Sequence, residues 1–335
     1  MTGVAGAALM LVAGAFVMLG VPFLPMWREW RHPTDHHALA VGRDDSNDVD
    51  HFARRLRHAT QERVAREAWS AFPSRAGTPD HGEIIAAGPL VAAVQVHCTR
   101  PLRVAGDFSA PSGSTFDSLL VDGDLDLGTD SQILQWARAE GHARLGSGTV
   151  AVRRLSAGRE IALSRECTFE RMSAPRITYG NRLARPRRAA GEGGDLDPTT
   201  LPGATRQAPG LVRIDGDAML PAGLRVVGSL VVGGMLHVGE GARVCGSVKA
   251  HRGVVAGRGS MIEGAVVSRR DIHLRAGCEI GGPVVSEADI VIGEDVVVGS
   301  AGRRTSITAE SILVGEGTVT HGTVWAHDVG VVWGA

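Results

Sequence analysis

The chain has 335 residues, with 35 Lys and Arg against 36 Asp and Glu and a formal net charge of −1, so it has no global basic field with which to hold nucleic acid. Aromatic residues make up only 4% and glycine reaches 45 residues, a balance that suits a narrow core of Val, Ile, Leu and Ala and argues against a polysaccharide-processing surface. Cys98, Cys167, Cys245 and Cys278 show neither C-x-x-C spacing nor a disulfide framework, which permits a reducing compartment.

From Val4 to Leu24 no residue is charged, and at about 1.5 Å per residue this stretch spans about 31 Å, the thickness of a bilayer's hydrocarbon core. The pattern predicts a transmembrane helix ended by Pro22 and Pro25, with Trp27 and Trp30 in the interfacial aromatic belt. A cleaved signal peptide is the rival reading, but no basic region precedes the apolar run and Pro25-Met-Trp-Arg28 is a poor cleavage context. Arg28, Arg31, Arg43, Arg54, Arg55 and Arg57 all follow the span, so the positive-inside rule places the rest of the chain in the cytoplasm. His32, Asp35, His36 and His37 are metal-ligating types, but no second cluster accompanies them and no metal site is assigned. No cofactor is assigned either.

Asp48 to Phe72 reads as a helix, with Phe52, Leu56, Ala59, Ala65, Ala68 and Phe72 near helical spacing and Asp48 or Asp50 as its cap. Its arginines suit anionic lipid headgroups, while its apolar stripe equally suits packing on the open end of the domain that follows.

A six-residue beat then begins. In Leu119/Val121, Leu125/Leu127, Ala143/Leu145, Leu155/Ala157, Ile161/Leu163 and Cys167/Phe169, two apolar residues flank one outward residue, and Leu127, Leu145 and Leu163 mark an 18-residue column. Residues 179–210 carry Pro186, Pro198, Pro202, Pro209 and the run Gly191-Glu-Gly-Gly194, a composition that predicts a flexible insertion. Between Val212 and Val298 the beat becomes strict, from Val212/Ile214 and Leu230/Val232 to Ile272/Leu274 and Val296/Val298. Two glycine columns share the larger period: Gly223, Gly241, Gly259, Gly277 and Gly228, Gly246, Gly264, Gly282. Three short rungs per 18 residues define a three-sided β-solenoid whose coils contact only their neighbours and whose ends are open strand edges. Ser300 to Ser306 interrupts the register as a corner loop, either an inert insertion or a docking loop, and the beat resumes at Ile312/Val314.

The stretch Leu224 to Lys249, followed by Ile262-Glu-Gly-Ala-Val266 and Ile280-Gly-Gly-Pro-Val284, resembles bactofilins, the polymer-forming bacterial cytoskeletal proteins. The resemblance covers about residues 211 to 335. It implies a right-handed triangular β-helix that polymerises end to end into nonpolar filaments without nucleotide, commonly at the membrane, and that scaffolds cell-envelope enzymes or polarity factors. The membrane span, the upstream array and the long insertion depart from the compact family pattern, and the upstream array is placed to cap one end.

Two enzyme classes compete. Hexapeptide-repeat acyltransferases also wind 18 residues per triangular coil, but Leu224, Leu230, Leu236, Val254 and Ile290 fill a position that is small in their repeat, and His237, His251 and His273 fall on outward positions. His321 and His327 lie near the chain end, and Asp122, Asp124 and Asp126 resemble the acid ladders of carbohydrate-cleaving β-helices but fit a solvated face. The resulting expectation is an all-β protein without catalytic residues: a transmembrane anchor (1–27), a linker and basic helix (28–80), a degenerate solenoid (81–178), an insertion (179–210) and a regular solenoid (211–335). Its expected role is a self-assembling scaffold at the cytoplasmic membrane. The rung around Val329, Val331, Val332 and Trp333 is expected to be the open, self-assembling end, because little sequence remains to cap it.

Overall fold

In the computed structural model the described residues are 50–64, 84–182 and 193–334. The anchor expected at Val4 to Leu24, with Trp27 and Trp30, lies outside them, and among the described residues no helix is long and apolar enough to cross a membrane. From Val49 onward the chain is one compact unit, a β-solenoid of about 13 turns.

Both sequence arrays form coils. In the first, spanning Ile84 to Tyr179, each strand pairs in parallel with the strand one coil later, as in Leu119↔Ala137 and Ala137↔Leu155. In the second, Val212↔Leu230, Leu230↔Val248 and Val248↔Val266 continue one face without a break. The alternating pairs point inward as their period requires: Leu125, Leu155, Ile161, Val244, Ile272 and Ile292 are all 0% exposed. Leu224 is only half-buried, because it lies in the first coil of its array. Cys98, Cys167 and Cys278 are buried free thiols that fill core positions, and burial pushes the Cys167 thiol up to about 11.

The two glycine columns exist for different reasons. Gly223, Gly241, Gly259 and Gly277 have φ of +63° to +73° with open space where a Cβ would stand, so only backbone conformation selects glycine there. Asp295 occupies the same corner with φ +55°, as short polar side chains tolerate. In the other column a Cβ on Gly246 would lie 2.3 Å from the Gly228 carbonyl oxygen, and one on Gly282 would lie 2.7 Å from Gly264 backbone. Here the preceding coil leaves no room for a side chain.

Residues 193–208 are ordered, where composition predicted a flexible insertion. Asp195–Leu196 pairs with Arg225–Val226, a 3-10 turn at Pro198–Thr200 is capped by Asp197, and Ala204–Ala208 folds back antiparallel onto Leu211–Ile214. The physical reason is burial: Leu196, Leu201 and Ala204 pack against the open end of the core, so three apolar residues in a polar segment suffice to hold it. The corner at 300–306 is closed by mutual Ser300 and Arg303 backbone hydrogen bonds of 2.9 and 3.1 Å and lies back on the solenoid, with Arg303 Nη1 donating to the Glu263 carbonyl at 3.4 Å.

The register is testable. Ile262 and Ile280 stack in one inward column at 0% and 1% exposure, so Ile→Asp at either position buries an unpaired charge and is expected to cost several kcal/mol, roughly 3 or more. Glu263→Asp on the outward face is expected to change stability by about 0.5 kcal/mol. Gly246→Ala should lower the melting temperature far more than Gly241→Asn. Equal thermal melts within either comparison would show the register to be misassigned.

Candidate functional site

The two arrays meet end to end. The last strand of the first, Thr168–Tyr179, pairs antiparallel with the last strand of the second, Val319–Trp333, on all three sides of the prism: Thr168↔Val331, Ser173↔Thr323 and Thr178↔Val319. Two helical coils that face each other tail to tail run in opposite directions at their junction only if both wind with the same hand. Antiparallel pairing therefore gives the arrays one common hand. Chain connectivity allows the arrangement. Arg182 at the junction is bound to Glu294 and Asp295, Gly194 accepts from Arg225 N–H at the Gly223 corner four coils away, and the twelve steps between them have a contour length of about 40 Å, more than the about 19 Å that separates four coils.

This seam occupies the rung that the sequence marked as an open edge. Glu166 N–H donates to the Val332 carbonyl at 2.9 Å, and Val332 N–H donates to the Cys167 carbonyl at 3.0 Å. Val332 is 0% exposed, Val331 and Trp333 are half-buried, and Val329 stands outward at 37%. The expectation of an uncapped end at Val329, Val331, Val332 and Trp333 is thus corrected: the strand's backbone finds its partner within the same chain. Packing matches the hydrogen bonding. A Cβ on Gly330 would meet the Phe169 ring at 2.1 Å, and Tyr179, 1% exposed, shares its hydroxyl with Thr320 at 3.2 Å. At one edge Glu316, 3% exposed, accepts two bonds from Arg165 at 2.7 and 2.8 Å and a third from Asn181 N–H at 3.0 Å. The Arg165 hydrogen bonds hold the Glu316 carboxyl below the usual carboxylate range against the cost of its burial.

The helix predicted before the solenoid is present as α1 (His51–Val64). It does not lie across an open end; of its predicted apolar stripe Leu56 is buried, Phe52 and Ala59 are exposed, and Ala65, Ala68 and Phe72 lie outside the described residues. Ala53 and Leu56 are buried on a side of the first array against Leu120, with Trp136 alongside. Charge fixes the docking: Arg103, 6% exposed, bonds Asp122 at 2.8 Å, Thr60 Oγ1 at 2.9 Å and the Arg57 carbonyl at 3.2 Å. Asp50 pairs with Arg138, and Arg57 joins Asp122 at 3.1 Å and also Glu140. The Arg138 hydrogen bond, aided by Arg57, lowers Glu140 to about 2. Arg57, which the sequence suits equally to a lipid-facing helix or to one packed on an open end, and Asp122, expected on a solvated face, belong to one cluster. A helix and a strand 65 residues apart share no periodic signal.

His237, His251 and His273 are exposed on coil sides, while His321 Nδ1 lies 2.9 Å from the Pro175 carbonyl and His327 stacks on Trp325 at 4.3 Å. Asp124 and Asp126 stand outward on the first array, Asp124 accepting the His142 N–H at 2.8 Å. Among the described residues no cluster of His, Cys, Asp or Glu is arranged to hold a metal ion. Comparison with protein-family models, curated proteins and solved structures yields no match.

The seam predicts a pH dependence. Because the folded Glu316 carboxyl titrates below its unfolded value, its contribution is complete above about pH 4.5 and is lost as pH falls through the folded value. Glu316→Gln should therefore lower the melting temperature at pH 7 and flatten its decline between about pH 5 and 3. Val332→Pro removes the donor to Cys167 and should lower the melting temperature at every pH. An unchanged melt for Val332→Pro would mean that the seam is not formed in solution.

Proposed function

We propose that the chain is a bactofilin-like scaffold: a stiff solenoid tethered to the cytoplasmic membrane through residues 4–24, which organises cell-envelope machinery by presenting its sides and remaining ends. The observation that carries this reading is the seam. A nonpolar filament of solenoids needs tail-to-tail and head-to-head contacts, and the antiparallel junction of Thr168–Tyr179 with Val319–Trp333 is a tail-to-tail contact made within one chain. Two arrays joined in this way form a pre-paired unit whose self-association, in this reading, passes through the first coil of the first array, since Leu196, Leu201 and Ala204 cover that of the second.

About 13 turns at about 4.8 Å give a rod of about 60 Å for residues 49–335. Negative-stain images and light scattering of that unit should show such rods, single or joined at their ends. Compact trimers with acyl-transfer activity would favour the acyltransferase reading instead. For the tether, alkaline phosphatase fused after Ala335 should stay inactive in intact bacteria, and activity would reverse the orientation.

A further inference from the structure

One side of the second array carries an outward column that runs from Met219 through Val255, Val291 and Leu313 to Val331. Met219 and Leu313 are exposed, as is Val329 beside the end of the column, and α1 docks on a different side of the rod, against Leu120. At the corner that leads into this side, successive coils carry Arg252, then Arg269 and Arg270, then Glu287, Glu310 and Asp328. Two cationic coils are thus followed by three anionic ones. The corner on the far edge of the same side repeats the order, with Arg258 and Arg275 on the coils of Arg252 and Arg270, and Glu294 and Asp295 on that of Glu287.

Elsewhere on the solenoid, opposite charges stand one coil apart and bond, as Arg103 does with Asp122 at 2.8 Å and Arg243 with Glu263 at 2.9 Å. From Arg252 to Asp328 like charges are stacked at about 4.8 Å instead, and such neighbours repel. Arg269, Arg270, Glu287, Glu310 and Asp328 make no side-chain hydrogen bond or ion pair among the described residues, and Arg252 reaches only Asp217, at 3.9 Å. Asp271 and Asp289 share the corner, but each turns an oxygen to a backbone N–H of the next coil, that of Asp289 at 3.4 Å and that of Ser311 at 3.2 Å. The chain therefore sorts these charges by sign along its axis and leaves them facing solvent.

We propose that this side is a self-recognition surface on which a second copy of the chain lies antiparallel. A two-fold axis across the face turns the second rod end for end and lays each corner against its own reverse. Centred between Arg270 and Glu287, the axis sets Arg269 and Arg270 against Glu287 of the second copy and Arg252 against its Glu310, each contact occurring twice. Val255 then faces Leu313 of the other rod. A parallel pair is disfavoured by the same charges, since it brings Arg252 and Arg270 level with Arg258 and Arg275 of the second copy. From Met219 to Val331 the face is seven coils long; at about 4.8 Å per coil and about 20 Å across, it offers about 680 Å², near the about 800 Å² per partner of a stable interface. The contact uses sides rather than ends, so it goes beyond the assembly proposed above and is compatible with it.

The test is sedimentation equilibrium of the full-length chain in a density-matched neutral detergent. In about 50 mM salt the chain is expected to dimerise with a Kd of roughly tens of micromolar, so that dilute rods stay single, and about 500 mM salt should weaken the dimer at least tenfold. Arg252→Glu/Arg270→Glu makes the corner acidic throughout, and Glu287→Arg/Glu310→Arg makes it basic. All four side chains are exposed, so each double variant should keep the circular-dichroism melt of the natural chain while self-associating at least tenfold more weakly. An equimolar mixture of the two variants should recover association to at least the natural level, because an acidic corner then meets a basic one along its length. The proposal is overturned by a natural chain that stays monomeric at about 200 µM in low salt, by double variants that associate as it does, or by a mixture that fails to associate. Each of those results leaves the scaffold reading standing, since neither pair of substitutions touches the ends of the rod.

Discussion

Every parallel β-solenoid must do something with the coil of unpaired N–H and C=O groups at each end, and in this protein the two C-terminal ends satisfy each other. An exposed terminal coil is a template for uncontrolled pairing and leaves the end of its core wet. Joining the ends buries Phe169, Tyr179 and Val332 together and converts two short rods into one continuous ladder. Other features follow from that junction. The chain must leave it and travel back to the far end of the second array, which is why Arg182 is fastened to Glu294 and Asp295 before the Pro- and Gly-rich stretch begins. At that far end, Leu196, Leu201 and Ala204 cover the core that the junction cannot reach.

The sides of the rod then carry what the ends do not. A solenoid face offers outward side chains in columns at rung spacing, so residues one coil apart act as neighbours without any loop to position them. The first array uses one such column to receive α1, through Arg103, Leu120 and Arg138, and a nearby corner to bring Trp136, Arg154 and Arg171 into line. Buried cations bordered by carboxylates are costly to leave unpaired, so the docked helix is fixed in place by Asp122 and Glu140 as much as by Ala53 and Leu56.

Features of period 18 were legible in the sequence, and features that break the period were not. Leu230/Val232 or Ile272/Leu274 announce an inward rung by alternation alone, and the structure buries both pairs. The first array reads less clearly because its strands bulge at corners: Trp136 and Arg154 fall between inward residues, and Arg154 to Arg171 is a 17-residue step. The seam joins residues about 150 apart in reverse direction, so no repeat could reveal it. Its traces were present all the same. Gly330 and Thr318/Thr320 break the aliphatic run of inward positions just where another coil must pack, and Glu316 is a buried acid. The order at 193–208 escaped for a related reason, because composition averages over Leu196 and Leu201, which do the burying.

The claim that the arrays are joined tail to tail within one molecule is tested most directly by a disulfide across the seam. Ser173 and Thr323 are paired residues whose hydroxyls lie 3.3 Å apart on the outer surface. With Cys245→Ser to remove the half-buried native thiol, the double variant Ser173→Cys/Thr323→Cys should oxidise rapidly to an internal disulfide, with the mass of a single chain and faster migration on a non-reducing gel. Covalent dimers, or two thiols that stay free under oxidising conditions, would contradict the account.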